Sequence, residues 1–196
     1  TYPFVTSSYP SAGGVSIGAG IPPTSIDQVL GVFKAYCTRV GGGPMPSELN
    51  DEVGELIRKT GKEYGTTTGR PRRCGWFDGV AGSYSASING LTGAILTRLD
   101  VLDQLPLLKV CVGYTTPDGT LIDHFPSSIG VLDECTPVLE EFPGWLTDVS
   151  GVRKYENLPQ EAIRYIERVE ELIHCPIKLI SVGERREQAI SRGDLW

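Results

Sequence analysis

The sequence predicts an α/β fold, the C-terminal part of a mostly parallel sheet flanked by helices, with a β-hairpin appendage. Three observations lead there. Apolar runs with strand character at Ala94 to Leu99 and Pro176 to Val182 each follow a stretch of helical character, the alternation that lays parallel strands together under helices. A strong turn, Thr116-Pro117-Asp118-Gly119, separates two further β-rich runs. The 196 residues, 40% of them hydrophobic, suffice for one core, and no internal repeat, low-complexity tract or linker divides them. A single unit spanning 1–196 is expected.

Tyr2 to Ser8 is β-rich, and the glycines and prolines of Ser11 to Pro23 then predict a long loop. Thr24 or Ser25 is placed to cap a helix running to about Ala35, and Tyr36 to Val40 reads as a short strand stopped by three glycines. Asn50 is the expected cap of a helix that carries Val53, Leu56 and Ile57 on one side and ends at Gly61. A helix from about Asp78 to Gly93 leads into the strand at Ala94 to Leu99. Lys109 to Tyr114 and Leu121 to Phe125 form the hairpin. In the last unit Pro159 sits at a first-turn position, and Ala162, Ile163, Ile166, Val169, Leu172 and Ile173 recur at helical spacing over a charged opposite face. The run Pro176 to Val182 follows as a buried strand.

Composition narrows the function. With 18 basic and 24 acidic residues the net charge is -6, which argues against the broad cationic face that nucleic acid requires. Apolar runs such as Gly90 to Leu96 fall far short of the roughly 20 residues of a membrane span. Cys37, Cys74, Cys111, Cys135 and Cys175 are odd in number and scattered without a CxxC pair, so neither a disulfide framework nor a zinc site is expected, and a reducing cytoplasm fits. Thr1 opens directly on strand-like sequence without an initiator Met, as in a segment of a larger protein.

Two segments have chemistry in them. Gly65-Thr66-Thr67-Thr68-Gly69-Arg70-Pro71-Arg72-Arg73 sets three hydroxyls beside three guanidiniums in nine residues, an anion-binding composition. Arginine forks pair with carboxylate or phosphate oxygens, threonines add hydrogen bonds, and glycine lets a ligand approach the backbone. The alternative is a solvated loop that offsets local acid. Thr97-Arg98-Leu99-Asp100 closes an apolar strand, and ligands of open α/β sheets bind at strand carboxyl ends. A carboxylate there can accept hydrogen bonds from guanine N1 and N2 while the preceding basic stem covers the base. Ser181-Val182-Gly183, ending the last strand, can add backbone donors. Gly14-Val15-Ser16-Ile17-Gly18 fits the hydrolase elbow G-x-S-x-G but lies in the expected loop rather than between a strand and a helix. His124 and His174, its only candidate bases, have bland places in a hairpin strand and at a helix end, and two histidines without grouped carboxylates make no metal site. Trp76, Trp145 and Trp196 are expected as packing anchors.

Val5-Thr6-Ser7-Ser8, Lys34 to Gly41, Tyr64 to Trp76, Leu96 to Asp103, Pro143-Gly144-Trp145 and the last helix into Pro176-Ile177 together resemble the adenylosuccinate synthetase family, in family order over essentially the whole chain. The resemblance implies a GTP-dependent ligase joining L-aspartate to IMP in purine biosynthesis. It implies IMP contacts at Thr6, Val40 and Arg70, aspartate contacts at Thr66, Thr67, Thr68, Gly69, Arg70 and Arg72, and GTP contacts at Arg72, Arg98, Leu99, Asp100, Ser181, Val182 and Gly183. Mg²⁺, the catalytic acid and base and the glycine-rich phosphate loop belong, on the same resemblance, to an N-terminal half preceding Thr1, and the complete enzyme is a homodimer. No GxxxxGK[ST] occurs in this sequence. The alternative is an inactive binding segment that needs that half. Departures from the family's usual pattern are Arg98 in place of Lys, Glu184 after Gly183, and a smaller, more polar Ser83 to Ser87.

Overall fold

The computed structural model describes residues 9–194. Its first helix, α1 (Gly13–Ala19), buries no residue and ends on Gly20 in the left-handed conformation at φ 67°. This overturns the expected loop, because a seven-residue helix with no packed face leaves no apolar period to read. The expected helix from Thr24 to Ala35 is also absent. A single turn at Pro23–Ser25 is followed by strand β1 (Leu30–Lys34), where Val32 and Phe33 satisfy sheet pairing instead.

Strand β2 (Cys37–Arg39) appears as expected. Helix α2 (Glu52–Thr60) is capped by Asp51, whose side chain accepts from the Gly54 N–H at 3.0 Å, one residue later than the Asn50 cap read from sequence. After β3 (Arg73–Gly75) and β4 (Phe77–Asp78) comes α3 (Gly79–Asn89). Asp78 caps it through the Ala81 N–H at 3.0 Å and accepts from the Tyr114 hydroxyl at 2.7 Å, so a buried carboxylate joins two elements.

Central strand β5 (Gly93–Thr97) is followed by a tight turn over Leu99–Leu102 and then β6 (Leu107–Thr115), β7 (Leu121–Ile122), α4 (Ile129–Glu134) and β8 (Thr136–Pro143). The hairpin of β6 and β7 forms, but the main antiparallel partner of β6 is β8, which sequence pattern had not marked. Pro137 and Pro143 at its ends and Glu140 and Glu141 within it hide β8 from a propensity reading, and ladder hydrogen bonds hold it in place. Helix α5 (Gln160–Ile173), β9 (Ile177–Ser181) and β10 (Ala189–Ser191) complete the chain.

Among the described residues, two four-stranded sheets and a two-stranded pairing of β2 with β3 result. The first sheet runs β1-β5-β9-β10, with β1, β5 and β9 parallel and β10 antiparallel. In the second, β4 pairs β6 in parallel while β7 and β8 are antiparallel to it. Ala162, Ile166, Val169 and Ile173 of α5 lie fully or nearly fully buried in the same core as Ala94 and Leu96 of β5 and Leu108 and Val110 of β6. Each large side chain so buried stabilises the fold by roughly 1.5–3 kcal/mol of transfer energy.

Trp76 and Trp145 are packing anchors, each 5% exposed. Trp145 depends on the residue before it, because a Cβ at Gly144 would collide with the Leu105 carbonyl oxygen and lie 2.8 Å from its carbon. All five cysteines are free thiols, and among the described residues no helix is long and apolar enough to cross a membrane.

Candidate functional site

Parallel pairing places the carboxyl ends of β1, β5 and β9 along one edge, with Lys34 opposite Thr97 and Leu96 opposite Ile180. Immediately beyond β5 the chain reverses through Arg98, a non-glycine residue in left-handed geometry at φ 66°, a conformation costing on the order of 1 kcal/mol. Leu99 is completely buried and anchors this turn, leaving only its peptide group to serve a ligand. Asp100 comes next. Its Oδ1 is buried and has no hydrogen-bond partner among the described residues. Burial pushes its carboxyl above the ordinary range, Arg98 pulls it back, and Glu184 and Asp148 push it up further.

Ser181, Val182 and Gly183 extend β9 beside this turn. The Ser181 hydroxyl donates to the Gly183 carbonyl at 2.8 Å, and the fully buried Val182 donates its N–H to the Gln188 carbonyl at 2.9 Å. A side chain at 183 would run into the Gln188 amide, which is itself fixed by the Arg185 N–H at 3.0 Å and the Ser150 carbonyl at 3.2 Å. Two of the departures from the family pattern meet here. Glu184 accepts from Lys62 Nζ at 3.0 Å and lies 3.8 Å from Arg98 Nη1, while Arg98 Nη2 donates to the Gly61 carbonyl. An open cleft of about 610 Å³, lined by Asp100, Asp103, Leu146 and Asp148 among others, adjoins the turn.

Asp103 supports the cleft floor. It accepts from the Trp145 indole N–H at 2.6 Å and the Val149 N–H at 3.0 Å, yet burial pushes its carboxyl from 3.8 up to about 6. The folded chain therefore takes up this proton before the unfolded chain does, so the group's contribution to stability grows as pH falls from about 6 toward about 4 and is lost as pH rises through about 6. Asp103→Asn is expected to flatten that part of the curve of Tm against pH. Parallel curves for the two proteins would contradict this.

The anion loop is a narrow excursion whose base is closed by the Arg72 N–H donating to the Glu63 carbonyl at 2.9 Å and by pairing of Tyr64 with Pro71. Gly65 and Arg70 are joined at 2.8 Å and Gly69 and Gly65 at 2.7 Å, which Gly69 permits by taking φ 64°. Thr66, Thr67, Thr68, Gly69 and Arg70 form an exposed tip. Among the described residues Arg70 has no ion-pair partner. Arg73 by contrast is spent on the fold, forking onto Glu48 at 2.8 and 2.5 Å and capping the Gly43 carbonyl at 2.7 Å. Arg72 lies between these extremes. Its Nη1 pairs with Glu63 Oε2 at 2.8 Å, and its buried Nε has no partner among the described residues.

Val40 is exposed just past β2, and Thr6 lies outside the described residues. The hydrolase pentapeptide is settled by geometry: Ser16 lies within α1, with no strand leading into it among the described residues, His124 is on an exposed surface beside Asp123, and His174 closes α5 in left-handed geometry. Sequence reasoning passed over Glu63, only 2% exposed, and Tyr36, 1% exposed. Nothing in a one-dimensional pattern separates a buried carboxylate after a helix from a solvated one.

A family model described as adenylosuccinate synthetase matches residues 1–190. The chain belongs to the adenylosuccinate synthetase family. It is 59% identical over 196 residues to the adenylosuccinate synthetase of Heliobacterium modesticaldum, covering all of this chain and 46% of that protein. The Geobacter sulfurreducens adenylosuccinate synthetase is 53% identical over 190 residues, covering 97% of this chain and 44% of the relative. The chain thus spans about half the length of the relatives it matches. Among solved structures, the fully ligated adenylosuccinate synthetase of Plasmodium falciparum superposes with a TM-score of 0.94 at 42% identity over 98% of this chain and 46% of that one. A cyanophage S-2L succinoaminodeoxyadenylate synthetase, 16% identical with a TM-score of 0.53 over 99% of this chain and 42% of that one, shares the fold. Adenylosuccinate synthetases depend on Mg²⁺ in general; among the described residues no group of three or more His, Cys, Asp or Glu side chains is placed to hold a metal.

Proposed function

We propose that this chain is the C-terminal, substrate-positioning part of a ligase that joins L-aspartate to IMP at the expense of GTP. One observation carries the reading. Four buried side-chain polar atoms lack partners among the described residues, and three of them belong to Arg72, Arg98 and Asp100. A buried donor or acceptor left unpaired costs about 1–3 kcal/mol, and such atoms call for a missing partner. Family membership supplies the ligands that fit.

In this reading Asp100 accepts from guanine N1 and N2, the Arg98 stem lies against the base, and the peptide groups of Leu99 and of Ser181 to Gly183 complete the recognition. The exposed Thr66 to Gly69 tip and the guanidiniums of Arg70 and Arg72 receive the aspartate carboxylates. Arg70 also reaches toward IMP, shared with Thr6 and Val40, and Arg72 toward the nucleotide. The terminal phosphoryl group of GTP moves to O6 of IMP as N1 gives up its proton, releasing GDP. The aspartate amine then forms the new bond to C6 as phosphate leaves with O6 and the amine sheds its proton. Proton transfer, the phosphate cradle and Mg²⁺ lie in the N-terminal half. The complete enzyme is a cytoplasmic homodimer.

The chain's own contribution is orientation and specificity. The 196-residue segment alone is therefore expected to form no adenylosuccinate from IMP, GTP and L-aspartate, whereas the full-length protein carrying it does so. Turnover by the segment alone would remove the division of labour, and an inert, folded full-length protein would leave the alternative of a binding segment.

A further inference from the structure

Two arginines of the candidate site are each gripped at one end of the guanidinium and unpartnered at Nε, and the grips meet on one side chain. Glu63, 2% exposed, accepts at Oε2 from Arg72 Nη1 at 2.8 Å. Its Oε1 accepts from the Tyr36 hydroxyl at 2.6 Å and from Lys34 Nζ at 2.7 Å. The Tyr36 hydroxyl in turn packs against Gly61, whose carbonyl accepts from Arg98 Nη2. Gly61 permits this approach, because a Cβ there would stand 2.5 Å from the Tyr36 oxygen and 3.2 Å from Glu63 Cγ.

We infer that Glu63 is a positioning residue that couples the two arms of the site, holding Arg72 of the anion loop with one carboxylate oxygen and, through Tyr36 and the Gly61 peptide packed against it, Arg98 of the guanine arm with the other. The inference rests on the functional reading given above for Arg72 and Arg98. Both oxygens of Glu63 are occupied within the fold, so it orients the arginines rather than meeting substrate. Burial alone would raise its carboxyl; hydrogen bonds and charge from Lys34, Tyr36 and Arg72 more than offset that and hold it below the ordinary range. Arginine has many rotamers to lose on binding, and a guanidinium fixed beforehand by a buried carboxylate presents its remaining donors without that loss. A shift of Glu63 moves both arms together, whereas loss of the Tyr36 hydroxyl loosens only the guanine arm.

The test uses the full-length enzyme carrying Glu63→Gln, Glu63→Asp or Tyr36→Phe, with separate titrations of aspartate, GTP and IMP and a thermal melt of each protein. Glu63→Gln keeps the shape and loses the charge, and is expected to raise the KM for both aspartate and GTP by about tenfold or more, with the IMP KM within about twofold. Glu63→Asp, which keeps the charge, should recover most of this. Tyr36→Phe should raise the GTP KM by about threefold or more and leave the aspartate KM within about twofold. A purely structural Glu63 would lower Tm and worsen all three substrates alike, and that result overturns the proposal, as do aspartate and GTP constants that stay at wild-type values. Should Glu63→Gln fail to fold, the Tyr36→Phe titrations decide, a GTP-only effect supporting the coupling and none overturning it. Wild-type enzyme that makes no adenylosuccinate rejects the functional reading and this proposal with it, while active wild type with unmoved variants rejects this proposal alone.

Discussion

Replacing Arg72 by lysine in the full-length ligase is expected to raise the aspartate KM, or lower kcat/KM for aspartate, by at least about tenfold, roughly 1.4 kcal/mol. Lysine keeps the charge and loses the fork. In the fold Arg72 already commits Nη1 to Glu63 at 2.8 Å, and the Arg58 guanidinium pins its carbonyl at 2.8 Å, so the side chain is aimed before any ligand arrives. A lysine ammonium can replace the pairing with Glu63 or reach a ligand carboxylate, but its single nitrogen cannot span both. Arg70→Lys should show a comparable loss for aspartate from a different starting point. Arg70 is exposed and makes no ion pair among the described residues, so its replacement leaves Tm unchanged, whereas Arg72→Lys lowers Tm measurably. Pro71 between them restricts the backbone and lowers the entropy lost when the loop closes on a ligand. Titrations of all three substrates on both variants provide the check. Wild-type aspartate kinetics in both would return Gly65 to Arg73 to the status of a solvated arginine-rich turn.

What could be read in one dimension follows the physics of each element. The apolar stripe of α5 was legible because Ala162, Ile166, Val169 and Ile173 all face the core, and α3 was legible as a helix from about Asp78, although Gly90 in left-handed geometry ends it three residues before the Gly93 expected from sequence. The segment before Lys34 was misread. Its few apolar residues suit a short helix as well as a strand, and pairing with β5, an element some sixty residues away, decides between them. The site divided in the same way. Guanidiniums, hydroxyls and an acid at a strand end declare their chemistry by type, so Arg70, Arg72, Arg98 and Asp100 could be picked out. Burial of Glu63 and diversion of Arg73 onto Glu48 are tertiary facts, invisible until Lys34, Tyr36 and Arg72 converge on one carboxylate.

Asp100→Asn is expected to weaken GTP use by about 1 to 3 kcal/mol while leaving ATP use little changed. Both acceptor oxygens of the carboxylate match guanine N1 and N2 donors; an asparagine replaces one acceptor by a donor that faces a donor of the base. Asp100 Oδ1 is buried and unpaired among the described residues, so nothing within the fold compensates for the change at that atom. The Arg98 charge beside it favours the ionised form that guanine requires, against burial and the nearby acids that oppose it. Side-by-side GTP and ATP kinetics on the variant and its parent provide the measurement. An unchanged preference would take Asp100 out of base recognition.

The most direct test of the central claim is a crystal structure of the full-length enzyme with GDP, IMP and an aspartate analogue bound. The account predicts that the partnerless buried atoms acquire ligand partners: Asp100 Oδ1 within about 3.2 Å of guanine N1 or N2, and Arg72 Nε within the same distance of an aspartate carboxylate or nucleotide oxygen. Ligands bound elsewhere, with Asp100 Oδ1 and Arg72 Nε still facing only protein, would contradict it.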